Sequence, residues 1–135
     1  MSVAFEKISS FSRGLLYKQL ADGYSFDNRW TEQFEKGWLE YDKFFFGNPD
    51  IADKYGFVTV LDGVPIGHIT WNPRNTPEYV TIGHNCILSE YKGNDFGKRQ
   101  LQEAVDRIKQ YDGLKKIVVK CLFFQIIQII IWLRH

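Results

Sequence analysis

The sequence is short of cysteine, methionine and proline: it has two, one and four of them among 135 residues. Cys86 and Cys121 stand in neither a CxxC arrangement nor a metal-ligand spacing, which excludes a disulfide framework and gives no metal site. Both are expected to be free thiols on apolar strands, as suits a reducing compartment. No charge of one sign prevails, since Lys and Arg total 17, Asp and Glu total 16, and the net charge is +1. That balance excludes a wholesale affinity for nucleic acid. No apolar run reaches the ~20 residues of a membrane span. The longest lies in the tail, Leu122 to Leu133, and Met1 to Gly14 mixes charge with polarity and lacks the apolar run of a signal peptide. The expectation is a cytoplasmic protein with no nucleic-acid or membrane partner. No internal repeat and no low-complexity linker divides the chain, so residues 1–135 are read as one domain.

What is present is a globular composition: 44% hydrophobic, 24% charged and 16% aromatic, enough for one ordinary core. The charge is unevenly placed. From Tyr91 to Lys120 there are eight Lys or Arg against four Asp or Glu, whereas Met1 to Gly56 has seven against nine. A basic second half suits an anionic ligand, or equally a solvated helix face.

Phe5 to Ile8 suggests a short first strand. Ser10 or Ser12 can cap a helix carrying Leu16, Leu20 and Tyr24, and Asp27 or Asn28 can cap a second. The second bears Trp30, Phe34, Trp38, Tyr41 and Phe45 at helical spacing, as a core stripe or a pocket wall, and Gly47-Asn48-Pro49 ends it. Phe57 to Leu61 and Val64 to Trp71 flank Asp62-Gly63, a turn that suits the positive φ angles of a tight hairpin. Pro65 belongs near a strand end or an unpaired edge. Tyr79 to Leu88 is the next strand. After a polar loop comes an amphipathic helix with Leu101, Ala104, Val105, Ile108 and Tyr111 on one face and an i,i+4 pair, Glu103 and Arg107, on its surface. Asp112-Gly113 stops it. The apolar run Ile117 to Val119 in Lys116 to Cys121 predicts a strand covered on both faces. A strand–helix–strand crossover makes its strands parallel, so the fold class is α/β with a mixed sheet.

The polar loop, Glu90-Tyr91-Lys92-Gly93-Asn94-Asp95-Phe96-Gly97-Lys98, aims backbone N–H groups and a helix dipole at one point, as an anion such as phosphate requires. With the hairpin, strand and helix around it, this stretch resembles the GCN5-related N-acetyltransferases, whose signature Arg/Gln-x-x-Gly-x-Gly/Ala binds the pyrophosphate of acetyl-CoA. The resemblance covers roughly Tyr55 to Lys120, with residues 1–54 as substrate-side helices and 122–135 as an atypical apolar tail. It implies a GNAT-like acyl-CoA N-acyltransferase fold, truncated or altered at its C-terminus. It also implies acetyl-CoA as acyl donor and a small-molecule or peptide amine as acceptor. Lys92 takes the Arg/Gln position and Gly97 the final glycine. Asp95 stands where the first glycine is expected, placing a carboxylate beside the pyrophosphate. By the same resemblance, Cys86, Ile87 and Leu88 pair with the pantetheine arm and Gly93, Asn94, Asp95, Phe96, Gly97 and Lys98 hold the pyrophosphate. Arg99 with Lys98 offsets the acidic charge.

Acetyl transfer needs a neutral amine, a polarised thioester carbonyl and a proton for the departing thiolate. His84 is the first candidate base because an ordinary imidazole titrates near neutrality. Glu78 and His68 are further candidates, and Glu90 is expected to be solvated. The family's usual thiolate protonator is a tyrosine after the last of these strands, but no tyrosine follows Tyr111 here. The isoleucine-rich tail is consistent with a frame change in an Asn-rich parent sequence, or with a strand that completes the sheet or a homodimer. Three readings stay open: an N-acetyltransferase impaired by its altered end, a non-catalytic acyl-CoA-binding or regulatory module, and an oligomerising α/β domain with no CoA site.

Overall fold

The computed structural model of the protein describes residues 2–121 and 127–134. Strand β1 (Val3–Glu6) ends before a short 3₁₀ turn at Ile8–Ser10, so the first strand lies earlier than the sequence suggests. Three helices follow: α1 (Leu15–Gly23), α2 (Asn28–Gly47) and α3 (Pro49–Lys54). Asp27 caps α2 as expected, its carboxylate accepting from the Arg29 N–H at 3.0 Å. Neither Ser10 nor Ser12 caps α1. Its N-cap is Gly14, at φ 100°, and the cap oxygens come from Asp42 of α2. That buried carboxylate accepts N–H groups from Gly14 at 3.0 Å and Tyr17 at 3.1 Å, which satisfies both the helix start and the charge. Gly47-Asn48-Pro49 ends α2 as expected, and Pro49, at the first helical position, starts α3.

Strands β2 (Gly56–Leu61), β3 (Val64–Asn72) and β4 (Val80–Ile87) form the expected antiparallel meander through Asp62-Gly63. Asp62 and Gly63 both have positive φ, 49° and 84°. Pro65 sits beside a bulge at the start of β3, where an absent N–H costs least. Helix α4 (Phe96–Ile108) crosses over to β5 (Lys116–Cys121), which runs parallel to β4, and β6 (Ile127–Trp132) returns antiparallel to β5. The spatial order is β1-β2-β3-β4-β5-β6. The tail thus contributes an edge strand, and among the described residues no helix follows β5.

The sheet carries helices on both faces. Under α4, Ala104 and Ile108 bury against Phe57, Ile69, Ile82, Ile117 and Val119. The predicted Glu103–Arg107 pair forms at 2.8 Å, and Arg107 also covers the Phe57 ring. On the opposite face, Leu16 and Phe45 bury against Val58 and Val60. Leu20 and Trp38 bury against Cys86. The aromatic stripe of α2 is therefore mainly core, although Tyr41 and Phe45 also reach an open cleft. No helix of the described residues is long and apolar enough to cross a membrane.

Candidate active site

The site forms where β4 leaves β5. The two strands pair only from Val80 to Ile82, against Ile117 to Val119. The next residue is the cause. Trp71 pairs with Ile82 and Thr70 with His84, so Gly83 is an extra residue in β4 and bends the strand away. From Gly83 to Ile87 the edge of β4 facing away from β3 has no strand partner among the described residues. The Leu88 N–H donates to the Ile66 carbonyl at 2.8 Å. Strand alternation then turns the polar backbone groups of Asn85 and Ile87 towards the free edge. Of the expected pairing stretch Cys86, Ile87 and Leu88, Ile87 is the one so aimed. The Cys86 thiol is buried and donates to the Gln19 carbonyl at 3.1 Å, and burial pushes its pKa up to about 12. Side chains of 121–128, including Cys121, lie outside the described set.

The free edge leads to the glycine loop. Gly93 and Asp95 hold positive φ angles of 84° and 64°, and Asp95 is the N-cap of α4 without a side-chain cap bond. Among the described residues, no acceptor meets the backbone N–H groups of Gly93, Asn94, Asp95, Phe96, Gly97 and Lys98. Six consecutive unpaired donors at the start of a 13-residue helix make an anion cradle. A Cβ at Gly97 would touch only Ile87, at 3.6 Å, so the chain's own packing does not demand glycine there. Phe96 anchors the helix start by burying against Ile66 and Ile87. Lys98 and Arg99 are exposed and form no ion pair among the described residues. Lys92 points elsewhere: its Nζ donates to the Gly23 carbonyl at the end of α1 at 2.6 Å and lies over the Phe26 ring.

The loop is held to the strand by a latch that sequence reasoning missed. Buried Gln100 donates through Nε2 to the His68 carbonyl at 2.8 Å and Asn85 Oδ1 at 2.8 Å, and accepts from Thr59 Oγ1 at 2.6 Å. Asn85 Nδ2 in turn donates to the Gly97 carbonyl at 3.2 Å. A glutamine one turn into an amphipathic helix gives little sign of this role in sequence, because its partners are distant in the chain.

Two cavities flank the free edge. The larger, about 580 Å³, is walled by Tyr41, Thr70, Gly83 and His84 on one side and Lys116 and Lys120 on the other. The smaller, about 60 Å³, lies between Gly23 and Tyr24 and the segment Asn85 to Ile87. Successive residues of one strand thus face successive spaces.

His84 borders the larger cavity, with its ring edge-on to Tyr41 at 4.9 Å. Burial pushes its pKa down to about 4, and its Nδ1 has no partner among the described residues. The near-neutral titration on which its candidacy as base rested is therefore removed by desolvation. The Tyr41 hydroxyl shares a hydrogen bond of 2.6 Å with Thr70 Oγ1, and burial raises its pKa, so it stays a neutral phenol. His68 is fully buried, bonds Gln19 through Nδ1 at 2.7 Å, and has its pKa pushed down to about 3 by burial and by nearby His84. Glu78 is exposed, pairs with Lys115 at 2.9 Å and does not line the cleft. Glu90 is exposed in the loop, as expected. No group of three or more metal-ligating side chains occurs among the described residues.

The sequence matches the acetyltransferase (GNAT) family over residues 18–124. No curated protein matches it. Among solved structures, the PaiA N-acetyltransferase of Thermoplasma acidophilum in complex with coenzyme A superposes with a TM-score of 0.72. It is 15% identical, over 90% of this chain and 80% of that one. A putative GNAT acetyltransferase of Desulfovibrio desulfuricans gives 0.68 at 16% identity, over 89% and 73%. The diaminobutyrate acetyltransferase EctA of Paenibacillus lautus, in complex with its substrate and coenzyme A, gives 0.64 at 16% identity, over 89% and 66%. With a family match over most of its length and the family's fold around a split β4 edge, the chain belongs to the GNAT acetyltransferase family.

Proposed function

We propose that the chain transfers the acetyl group of acetyl-CoA to a primary amine held in the larger cleft. The observation that carries this is the β4 edge. Gly83 and His84 line the cleft, Asn85 to Ile87 line the smaller groove, and the groove leads to six unpaired amides. This is the order of groups that a pantetheine arm ending in a pyrophosphate requires. The residues fit that group, because the unpaired donors and the open space over Gly97 are otherwise unexplained by the chain's own packing.

The residues would divide the work as follows. The Gly93 to Lys98 amides hold the pyrophosphate, with Lys98 and Arg99 adding charge. The outward backbone groups of Asn85 and Ile87 align the arm as an added strand does. When bound, acetyl-CoA supplies the activated acyl group. His84 stays uncharged above about pH 5, so it orients the amine by a hydrogen bond without repelling an ammonium. At that pKa it is a weak base, and the amine loses its proton mainly to water. Glu78 has no direct part in this scheme.

A second reading, a module that binds acyl-CoA without transfer, is favoured by Asp95, which places a carboxylate at the N-cap of α4 in the proposed pyrophosphate loop. Calorimetry with acetyl-CoA and a thiol-release assay over a panel of amines separate the two. Transfer predicts saturable binding and amine-dependent release of free thiol. Gly97→Leu should weaken acetyl-CoA binding at least tenfold with the melting temperature nearly unchanged. Binding without thiol release supports the module, and no binding at all contradicts both readings.

A further inference from the structure

The larger cleft has a charge pattern that selects its occupant. The charged side chains that line it are all cationic: Arg74 from the β3–β4 loop, and Lys116 and Lys120 from β5. Among the described residues no Asp or Glu lines it. The chain also contains no acidic side chain after Asp112, so residues 122–126 can supply none whatever their placement. Lys116 is partly occupied, lying over the Tyr79 and Trp132 rings at 5.9 and 5.1 Å. Arg74 and Lys120 form no ion pair among the described residues. The remaining polar lining is neutral and includes Asn72, Asn75 and Thr81. A polyamine entering this space would face like charges at short range with no counter-charge, which costs affinity. An anionic oxygen group would instead meet two unpaired cations, one of them a guanidinium suited to bidentate contact.

We infer that the acceptor is an amine that also carries an anionic oxygen group, carboxylate or phosphate, bound by Arg74 and Lys120 while the amine faces His84. This rests on the acetyltransferase reading and narrows it to anionic amines over polycationic ones.

The test uses the full chain and three amine classes: amino acids such as glycine and glutamate, phosphoethanolamine, and the cationic or neutral amines spermidine and ethanolamine. Thiol release should favour the anionic amines in kcat/KM by at least tenfold over spermidine. Amino acids against phosphoethanolamine tells which anionic group is used. In the Arg74→Gln/Lys120→Gln double variant the KM for the anionic amine should rise at least tenfold, its preference over ethanolamine should collapse, and the Kd for acetyl-CoA should hold within about twofold. Circular dichroism and melting temperature check that the variant folds. If no amine is turned over, NMR titration of the CoA-bound protein decides by the same ranking, which separates failure of this inference from failure of the transferase reading. Tighter use or binding of spermidine, an unchanged preference in the double variant, or a loss confined to acetyl-CoA affinity would each overturn it. The last outcome would assign the two cations to the cofactor.

Discussion

Asp95 is the residue where local conformation and expected chemistry disagree. It occupies a left-handed backbone position, φ 64°, that glycine adopts without strain. Its carboxylate makes no cap bond to α4. It therefore adds negative charge beside the amides proposed to hold a pyrophosphate. Asp95→Gly should tighten acetyl-CoA binding by about three- to tenfold, the size of one weak like-charge contact, as read by calorimetry at low salt. Unchanged binding would place the carboxylate away from the phosphates. Buried His68 and half-buried His84 give a second expectation at this scale. Burial depresses the pKa of His68 to about 3 and of His84 to about 4, while both titrate normally when unfolded. The unfolded chain then binds protons that the native one refuses, so stability is fully present above about pH 6.5 and falls as pH drops towards about 4. Urea midpoints measured across that range should decline. His68→Gln should remove about one proton's share of the decline, whether or not it also lowers stability at neutral pH.

The elements follow from sequence where the signal is local. The Asp62-Gly63 hairpin, the Asp27 cap and the α4 face formed as their residues dictate. β5 shows where local reading stops. Its apolar run suggests cover on both faces and Ile117, Val118 and Val119 are all buried, yet Lys116, Val118 and Lys120 also line the cleft. The alternating lysines carried that signal, and the continuous Ile-Val-Val run concealed it. The Gly83 bulge was equally hidden, because an extra residue has meaning only against a partner strand. The β3–β4 seam depends on another glycine. A Cβ at Gly67 would stand 2.3 Å from the Cys86 carbonyl oxygen, inside the Gln100 latch. Gly67→Ala should therefore destabilise the fold by about 2–3 kcal/mol, read by urea denaturation. A cost near zero would mean that the seam shifts freely.

On the scale of the whole molecule, the sheet separates two tasks. One end of the split β4 edge meets a donor-rich loop, and the other meets a cationic cleft beneath α2. The family was legible because its loop, helix and strands are contiguous in sequence. The cleft was not, because Tyr41, Thr70, Arg74, His84 and Lys120 come from five separate segments that only the fold assembles. The fate of the tail was half legible: its apolar strand joins the sheet edge, yet Trp132 remains 68% exposed. The central claim is that the split edge holds acetyl-CoA for transfer to an amine in the cleft. Its most direct measurement is thiol release from acetyl-CoA with glutamate or phosphoethanolamine, followed against pH. Amine-dependent release is expected to rise with pH towards the amine's own pKa, with no inflection near 6.5. No release with any amine, despite saturable binding of acetyl-CoA, would contradict it.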